Sequence, residues 1–365
     1  MNKTKDLLCK IRTAIEKGQL KIGSIPITDI KNCVHYEIDL HRNTVTEIQY
    51  QNILNSFEKL CSNMSDDEWD ISKILLFLDA MILCVDMLSE SIYSLANRDY
   101  WEYKHGNDLE NPQVQEIIEY IDRKHQIRLL NYNFMDEYEN MPVEVYFDEI
   151  CQMFYVPYKD RKMFFPKSWD AEKVEKYYRS VVAEQDQRSP HCYAYNGYEV
   201  NEGDVVVDVG AAEGIFTLDI IDTADKVYLI EADMEWVEAL QQTFINDKEK
   251  VRIIYGFADC VAEGDRLTID SLFENEEINY IKMDIEGYEK PALLGAGTIF
   301  DNCKNLKCAI CSYHCKEDEG WIHNYLKKYG FVTDVSDGFI CPDWTVEAYL
   351  EAELRRGIVF GKKEV

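Results

Sequence analysis

The sequence of 365 residues predicts a doubly wound α/β sheet, preceded by a helical N-terminal region and a short β-meander. Three observations lead there. The runs VVVDV, VYLIE, VRIIY and YIKMD, from Val205 onward, are nearly continuous in apolar residues, as strands buried on both faces of a parallel sheet are. Helix-period segments alternate with them, the pattern of a layered α/β unit. A glycine-containing turn follows the first of these strands and opens a helix, where such sheets bind ligands.

The elements follow in order along the chain. Helix-period patterns run through Val45–Met64, Ile71–Ala96 and Val114–Leu130, and Asp66 and Asp67 suit the start of the second. Nothing in this stretch gathers catalytic residue types at a telling spacing. Residues 1–140 are therefore expected to be a helical domain for recognition or support. The pattern changes at Met141-Pro142. The segment PVEVYFDEICQMFYVPYKDRKMFFPK is rich in aromatic and β-branched residues with a turn at Tyr158–Arg161, which predicts the meander. Ala171–Gln185 reads as a helix. Strands are then expected at Asp204–Val209, Val227–Glu231, Val251–Tyr255, Asn279–Asp284, Leu306–Ser312, Phe331–Val335 and Gly357–Gly361. Helices alternate with them at Ile215–Ile221, Trp236–Ile245, Lys290–Gly295 and Asp318–Tyr329. Residues 141–365 are expected to form this second domain.

Composition narrows the function. The 39 Lys and Arg against 68 Asp and Glu leave a net charge of −29. That argues against a nucleic-acid partner, which needs a basic face to neutralise phosphates. The most apolar run, Ile74–Leu88, carries Asp79 and Asp86 and falls short of the roughly 20 apolar residues that span a bilayer. The first residues lack the apolar stretch of a signal peptide. A cytosolic protein without a membrane span is expected. The 12 cysteines are then mostly small buried hydrophobes. Cys308-x-x-Cys311 resembles half of a zinc site, but LKCAICSY reads as a strand. Positions three apart on a strand face opposite ways, so neither zinc nor disulfides are expected.

The first candidate site is DVVVDVGAAEGIFTL, Asp204–Leu218. Gly210 and Gly214 allow a tight turn and close approach to a ligand. The spacing is not Gly-x-Gly-x-x-Gly, because Ala212 stands where a dinucleotide site needs its middle glycine. Asp208 ends the strand. A carboxylate there repels a pyrophosphate and welcomes an ammonium group, which favours S-adenosylmethionine. Glu231 ends the next strand, where a carboxylate can accept both ribose hydroxyls.

These residues resemble the FkbM-type family of S-adenosylmethionine-dependent methyltransferases. The match continues in order through IEAD at Ile230–Asp233, LTIDSL at Leu267–Leu272, YIKMDIEGYEKPALLGA at Tyr280–Ala296 and a strand ending in Tyr313-His314. It covers roughly Met141 to the C-terminus. Ile269, where the family more often has Leu, is a mild departure. Pro291 lies in the first turn of a helix, where proline is tolerated. The resemblance implies a Rossmann-like class I methyltransferase sheet. It also implies a cofactor site of Asp208, Gly210, Ala211, Glu213, Gly214, Glu231, Ala232, Ala258 and Asp259. The implied activity is O-methylation of a hydroxyl on a sugar, glycan or secondary metabolite. Methylation of nitrogen or carboxylate, and an inactive cofactor-binding partner protein, are the alternatives.

The second candidate site is YIKMDIEGYE. Lys282 and Asp284 lie two apart at the carboxyl end of a strand and share a face. In-line methyl transfer asks the protein to align an acceptor and remove its proton. Asp284 is a candidate to orient or deprotonate the acceptor, and Lys282 to stabilise the oxyanion. His314, at the end of the next strand, is the alternative base. Glu286 and Glu289 could simply complement a helix dipole. Asp284 with Glu286 could also hold Mg²⁺, but no further acid stands at a convincing spacing, and a metal is not favoured. Upstream, the polar segment Glu184–His191 precedes the first strand and could cover the cofactor. His191 reads equally well as a surface residue.

Overall fold

The computed structural model describes residues 98–195, 197–342 and 351–363. The helices expected at Val45–Met64 and Ile71–Ala96 lie outside these residues, as does the apolar run Ile74–Leu88. No described helix is long and apolar enough to cross a membrane. Two compact units divide the chain, one of Met1–Arg128 with Asp343–Glu353 and one of Leu129–Pro342 with Leu354–Val365.

In the first unit, α1 spans Arg98–Lys104 and α2 spans Pro112–Lys124. Asn111 caps α2 by accepting from the Gln113 N–H at 2.9 Å, and a proline at the helix start costs nothing because its missing N–H has no partner there. Val114, Ile117, Ile118 and Ile121 are buried at helical spacing. The helix stops earlier than its periodicity predicts. His125 adopts φ 49° and turns its N–H onto the Ile121 carbonyl, a left-handed cap that ends the ladder.

The second unit opens with α3, Met135–Glu139, and the expected meander: β1 Tyr146–Asp148, β2 Met153–Tyr158 and β3 Arg161–Phe164. Tyr158 pairs with Arg161 across the predicted turn. Arg161 bridges Asp222 at 2.9 Å and Asp247 at 3.2 Å, and the Phe164 N–H donates to Thr243 Oγ1 at 3.0 Å. These bonds tie the meander to the sheet domain. Helix α4, Ala171–Glu184, follows, capped by Asp170.

The sheet has seven strands. In chain order they are β4 Val205–Val209, β5 Lys226–Glu231, β6 Val251–Tyr255, β9 Tyr280–Met283, β10 Lys307–Cys311, β11 Phe331–Val335 and β12 Ile358–Lys363. The short pair β7 Phe257–Ala258 and β8 Arg266–Leu267 lies apart. Helices α5 Ile215–Ile220, α6 Met234–Thr243, α7 Ile269–Leu272, α8 Glu289–Leu294, α9 Gly297–Asn302 and α10 Asp318–Lys328 connect the strands. The spatial order is β11-β12-β10-β9-β4-β5-β6. Pairs from β6 through β10 are parallel, and β12 runs antiparallel to both neighbours.

The four residues of β9 are all buried, and Val206, Val207 and Val209 of β4 are 0% exposed. Each such side chain contributes about 1.5–3 kcal/mol relative to exposure. The strands that carry the candidate residues are thus firmly held in the core. The order reverses between β4 and β9, the switch point at which open α/β sheets bind ligands at the carboxyl ends of their strands.

Candidate active site

The turn after β4 is built to lie against the turn after β9. Gly210 has φ 77°, and a Cβ there would meet the Asp284 carbonyl oxygen at 1.8 Å. Only glycine permits both the left-handed backbone and the contact. Ala212 is also left-handed, at φ 45°, and Gly214 caps α5. Ala211 is buried.

Asp208 was expected to face a ligand's ammonium group; it faces one inside the protein. It is 0% exposed, lies 3.1 Å from Lys282 Nζ and accepts from Thr217 Oγ1 at 2.8 Å. The two are register partners on β4 and β9. Lys282 also donates to the Gly210 carbonyl at 2.5 Å. Burial alone would weaken the Lys282 charge, but Asp208 and then Asp284 raise its proton affinity above the ordinary lysine value. Lys282 was expected to stabilise an oxyanion. Its charge is committed to Asp208 and its hydrogen bond to the glycine turn.

Glu231 closes the same end of the sheet. One oxygen accepts from the Ala212 N–H at 2.9 Å; the other accepts from Ala232 and Asp233, each at 2.8 Å. Three amides therefore fix the carboxylate, and the oxygen facing Ala212 keeps a lone pair for a further donor. Glu213 is buried and accepts from the Tyr177 hydroxyl at 2.8 Å. Burial pushes its carboxyl up to about 7 against the opposing Tyr177 bond. Beyond β6, Ala258 is buried and Asp259 accepts from its neighbour's amide, Cys260 N–H, at 2.6 Å and pairs with Arg266 at 3.3 Å.

Asp284 is the hub of the second site. Its Oδ2 accepts from the Tyr193 hydroxyl at 2.8 Å and lies 3.3 Å from His191 Nε2. Its Oδ1 lies 3.5 Å from His314 Nε2. Burial works to raise its pKa, but His191, by hydrogen bond and charge, with Lys282 and His314 behind it, holds the carboxyl well below the usual range. His314 Nδ1 lies 3.0 Å from Glu289 Oε1, and its Nε2 lies 3.6 Å from Glu286 Oε2. Burial opposes charge on this ring, yet Glu289, Asp284 and Glu286 together lift it to about 9. Glu289 is 0% exposed and accepts from the Ile285 N–H at 3.0 Å, so the same carboxylate meets both the imidazole and the backbone turn ahead of α8. Glu286 has φ 55° and a side chain 91% exposed.

The sequence expectation left His191 open to a surface position. It is 3% exposed, with Nε2 also 3.1 Å from the Tyr313 hydroxyl. Periodicity carries no signal for it, nor for Tyr193, because both lie in an irregular segment.

Among the described residues, two clusters bring potential ligand atoms within 4.8 Å of one another, His191 with Asp284 and Cys311, and Asp284 with Glu289 and His314. In each, an imidazole already lies against a carboxylate. Cys311 belongs with His191, whose Nε2 is 3.8 Å from its sulfur. Cys308 lies against Gly361 instead.

The family model for the methyltransferase FkbM domain matches residues 263–333, which include β9, Asp284 and His314. Over that stretch the chain is similar to the FkbM methyltransferase domain. Among solved structures, the domain is similar to a methyltransferase FkbM from Methylobacillus flagellatus KT, with 19% identity and a TM-score of 0.39 over 53% of this chain and 55% of that one. The chain thus spans little more than half of that neighbour's length. An rRNA methylase from Streptococcus thermophilus is similar at 15% identity and a TM-score of 0.34, over 46% of this chain and 90% of that one. A precorrin-8w decarboxylase from Methanobacterium thermoautotrophicum is similar at 16% identity and a TM-score of 0.33, over 46% and 85%. A search of curated proteins gave no match.

Proposed function

We propose that the protein is an S-adenosylmethionine-dependent O-methyltransferase acting on a hydroxyl of a sugar, glycan or secondary metabolite, in the cytosol and without a metal. One observation carries the reading. A carboxylate and an imidazole, Asp284 and His314, face each other at 3.5 Å at the carboxyl ends of adjacent strands, beside the glycine turn.

The residues present suit the cofactor. Glu231 keeps acceptor capacity for a ribose hydroxyl, and Gly210, Ala211, Glu213, Gly214, Ala232, Ala258 and Asp259 surround the same strand ends. Asp284 and Glu286 give the site the negative character that a sulfonium cation requires. When bound, S-adenosylmethionine supplies the methyl group and the leaving group. The chain's own residues handle the acceptor. Asp284 orients its hydroxyl. Neutral His314 takes the proton on Nε2, the nitrogen that faces Asp284 and Glu286, while Glu289 faces Nδ1 at 3.0 Å. A cationic cofactor held beside His314 would lower the proton affinity of that ring. Residues 1–140 serve acceptor or partner recognition, or structural support, in this reading.

Calorimetric titration with S-adenosylmethionine and with NAD tests the cofactor. Incubation with labelled S-adenosylmethionine and a panel of nucleotide sugars and metabolites tests the chemistry. Removing a general base should lower turnover by about 10²–10⁴-fold with cofactor affinity nearly intact. His314→Ala should do so, and Asp284→Asn should fall less. The reverse order would make Asp284 the base, and near-normal turnover in both would place the chemistry elsewhere.

A further inference from the structure

Asp284 is bound from two sides. His314 approaches Oδ1 from the end of β10. His191 approaches Oδ2 at 3.3 Å from the segment between α4 and β4. The order continues outward on both flanks, with Glu184 Oε2 3.7 Å from His191 Nδ1 and Glu289 Oε1 3.0 Å from His314 Nδ1. Five titratable groups, Glu184, His191, Asp284, His314 and Glu289, alternate carboxyl and imidazole through one row, with Glu184 and Asp284 partly exposed and the other three buried.

The His191 end is held as firmly as the other. Gly357 makes room for its segment, since a Cβ there would meet the Pro190 carbonyl oxygen at 2.0 Å. Gln185 accepts from the Tyr193 N–H at 3.3 Å. Facing the His191 ring are Glu184 from α4, Asp284 beyond β9, Cys311 and Tyr313 from β10 and its exit, and Tyr193 from its own segment. Such burial of an unpartnered imidazole would be costly, and this one is placed against the carboxylate that faces the candidate base.

We propose that His191 is a positioning residue: it binds Asp284 from the side opposite His314 and limits how tightly that carboxylate holds the proton on His314. This rests on the methyl-transfer reading above. Asp284 shares its charge between two donors, so less of it falls on His314. His191 meets Asp284 on Oδ2, while His314 faces Oδ1, so its effect on His314 runs through the shared carboxylate.

The test follows the imidazole nitrogens of the full-length chain, labelled with ¹⁵N-histidine, against pH. Replacing His191 by Leu removes a donor from Asp284. The His314 midpoint should rise by about 0.5 pH unit or more. His191→Gln keeps an N–H donor and should return it to within about 0.3 unit of wild type. An unchanged midpoint in His191→Leu overturns the proposal. Should the Leu variant fail to fold, the wild-type spectra decide. Nitrogens coupled through Asp284 give His314 a second, smaller inflection at the His191 midpoint, and its absence overturns the proposal. Calorimetry separates the two layers. Wild-type protein that does not bind S-adenosylmethionine overturns the methyl-transfer reading and the role given to His191 with it. Normal binding with an unmoved midpoint overturns the His191 role alone.

Discussion

Lys282 Nζ stands 3.1 Å from Asp208 Oδ1, with the two side chains 5% and 0% exposed. The pair joins the central strands β4 and β9 directly beneath the glycine turn. Removing one partner of such a pair leaves an uncompensated buried charge, which typically costs about 3–5 kcal/mol. Lys282→Met should therefore lower the urea midpoint sharply. The double variant Lys282→Met with Asp208→Asn should recover much of the loss. If the single variant unfolds like wild type, Lys282 is free for the acceptor after all.

Glu231 fixes three amides and, in the proposed complex, the ribose. Glu231→Ala removes charge-assisted hydrogen bonds worth about 1.5–3 kcal/mol each. Affinity for S-adenosylmethionine, read by calorimetry, should fall at least about tenfold. Unaltered affinity would detach Glu231 from the cofactor.

Glu213 links stability to pH. Its folded carboxyl is raised to about 7 by burial, against an ordinary value of 4.5. The folded state thus favours the neutral form. Stability from this group is fully present below pH 4.5 and is lost as pH rises through 7. A shift of this size is worth roughly 3 kcal/mol. Glu213→Gln keeps an acceptor for the Tyr177 hydroxyl and cannot ionise. Its unfolding free energy should exceed that of wild type at pH 8 and approach it at pH 5. Parallel curves across that range would remove Glu213 from the account.

His314 predicts a rising pH profile. The ring is lifted to about 9 by Glu289, Asp284 and Glu286 against burial, so the neutral base is scarce at low pH. Turnover should climb with pH and level off at or below about 9. Glu289→Gln removes a carboxylate that favours the charged ring, and its profile should level off at lower pH. An identical profile in that variant would exclude His314 as the titrating base.

Much of this was legible in the sequence because it depends on local pattern. Continuous apolar runs gave the parallel strands, since burial on both faces leaves no polar alternation. Tyr158–Arg161 read as a turn because its flanks carry strand formers. Asp208, Glu231, Asp284 and His314 stand at the carboxyl ends of strands in sequence and in space. The end of α2 was not legible, because a His can take a left-handed cap without any glycine to announce it.

The sequence by itself determined which residues reach the carboxyl edge of the sheet, because strand ends are set by hydrophobic pattern within a few residues. Tertiary structure decided what each of them meets there. Strand register turned Lys282 towards Asp208 rather than Asp284. Close approach of the turn after β4 to the Asp284 carbonyl required Gly210. An irregular segment carried His191 into contact with a carboxylate 93 positions further along, a pairing made by packing between distant parts of the chain and written in no local periodicity.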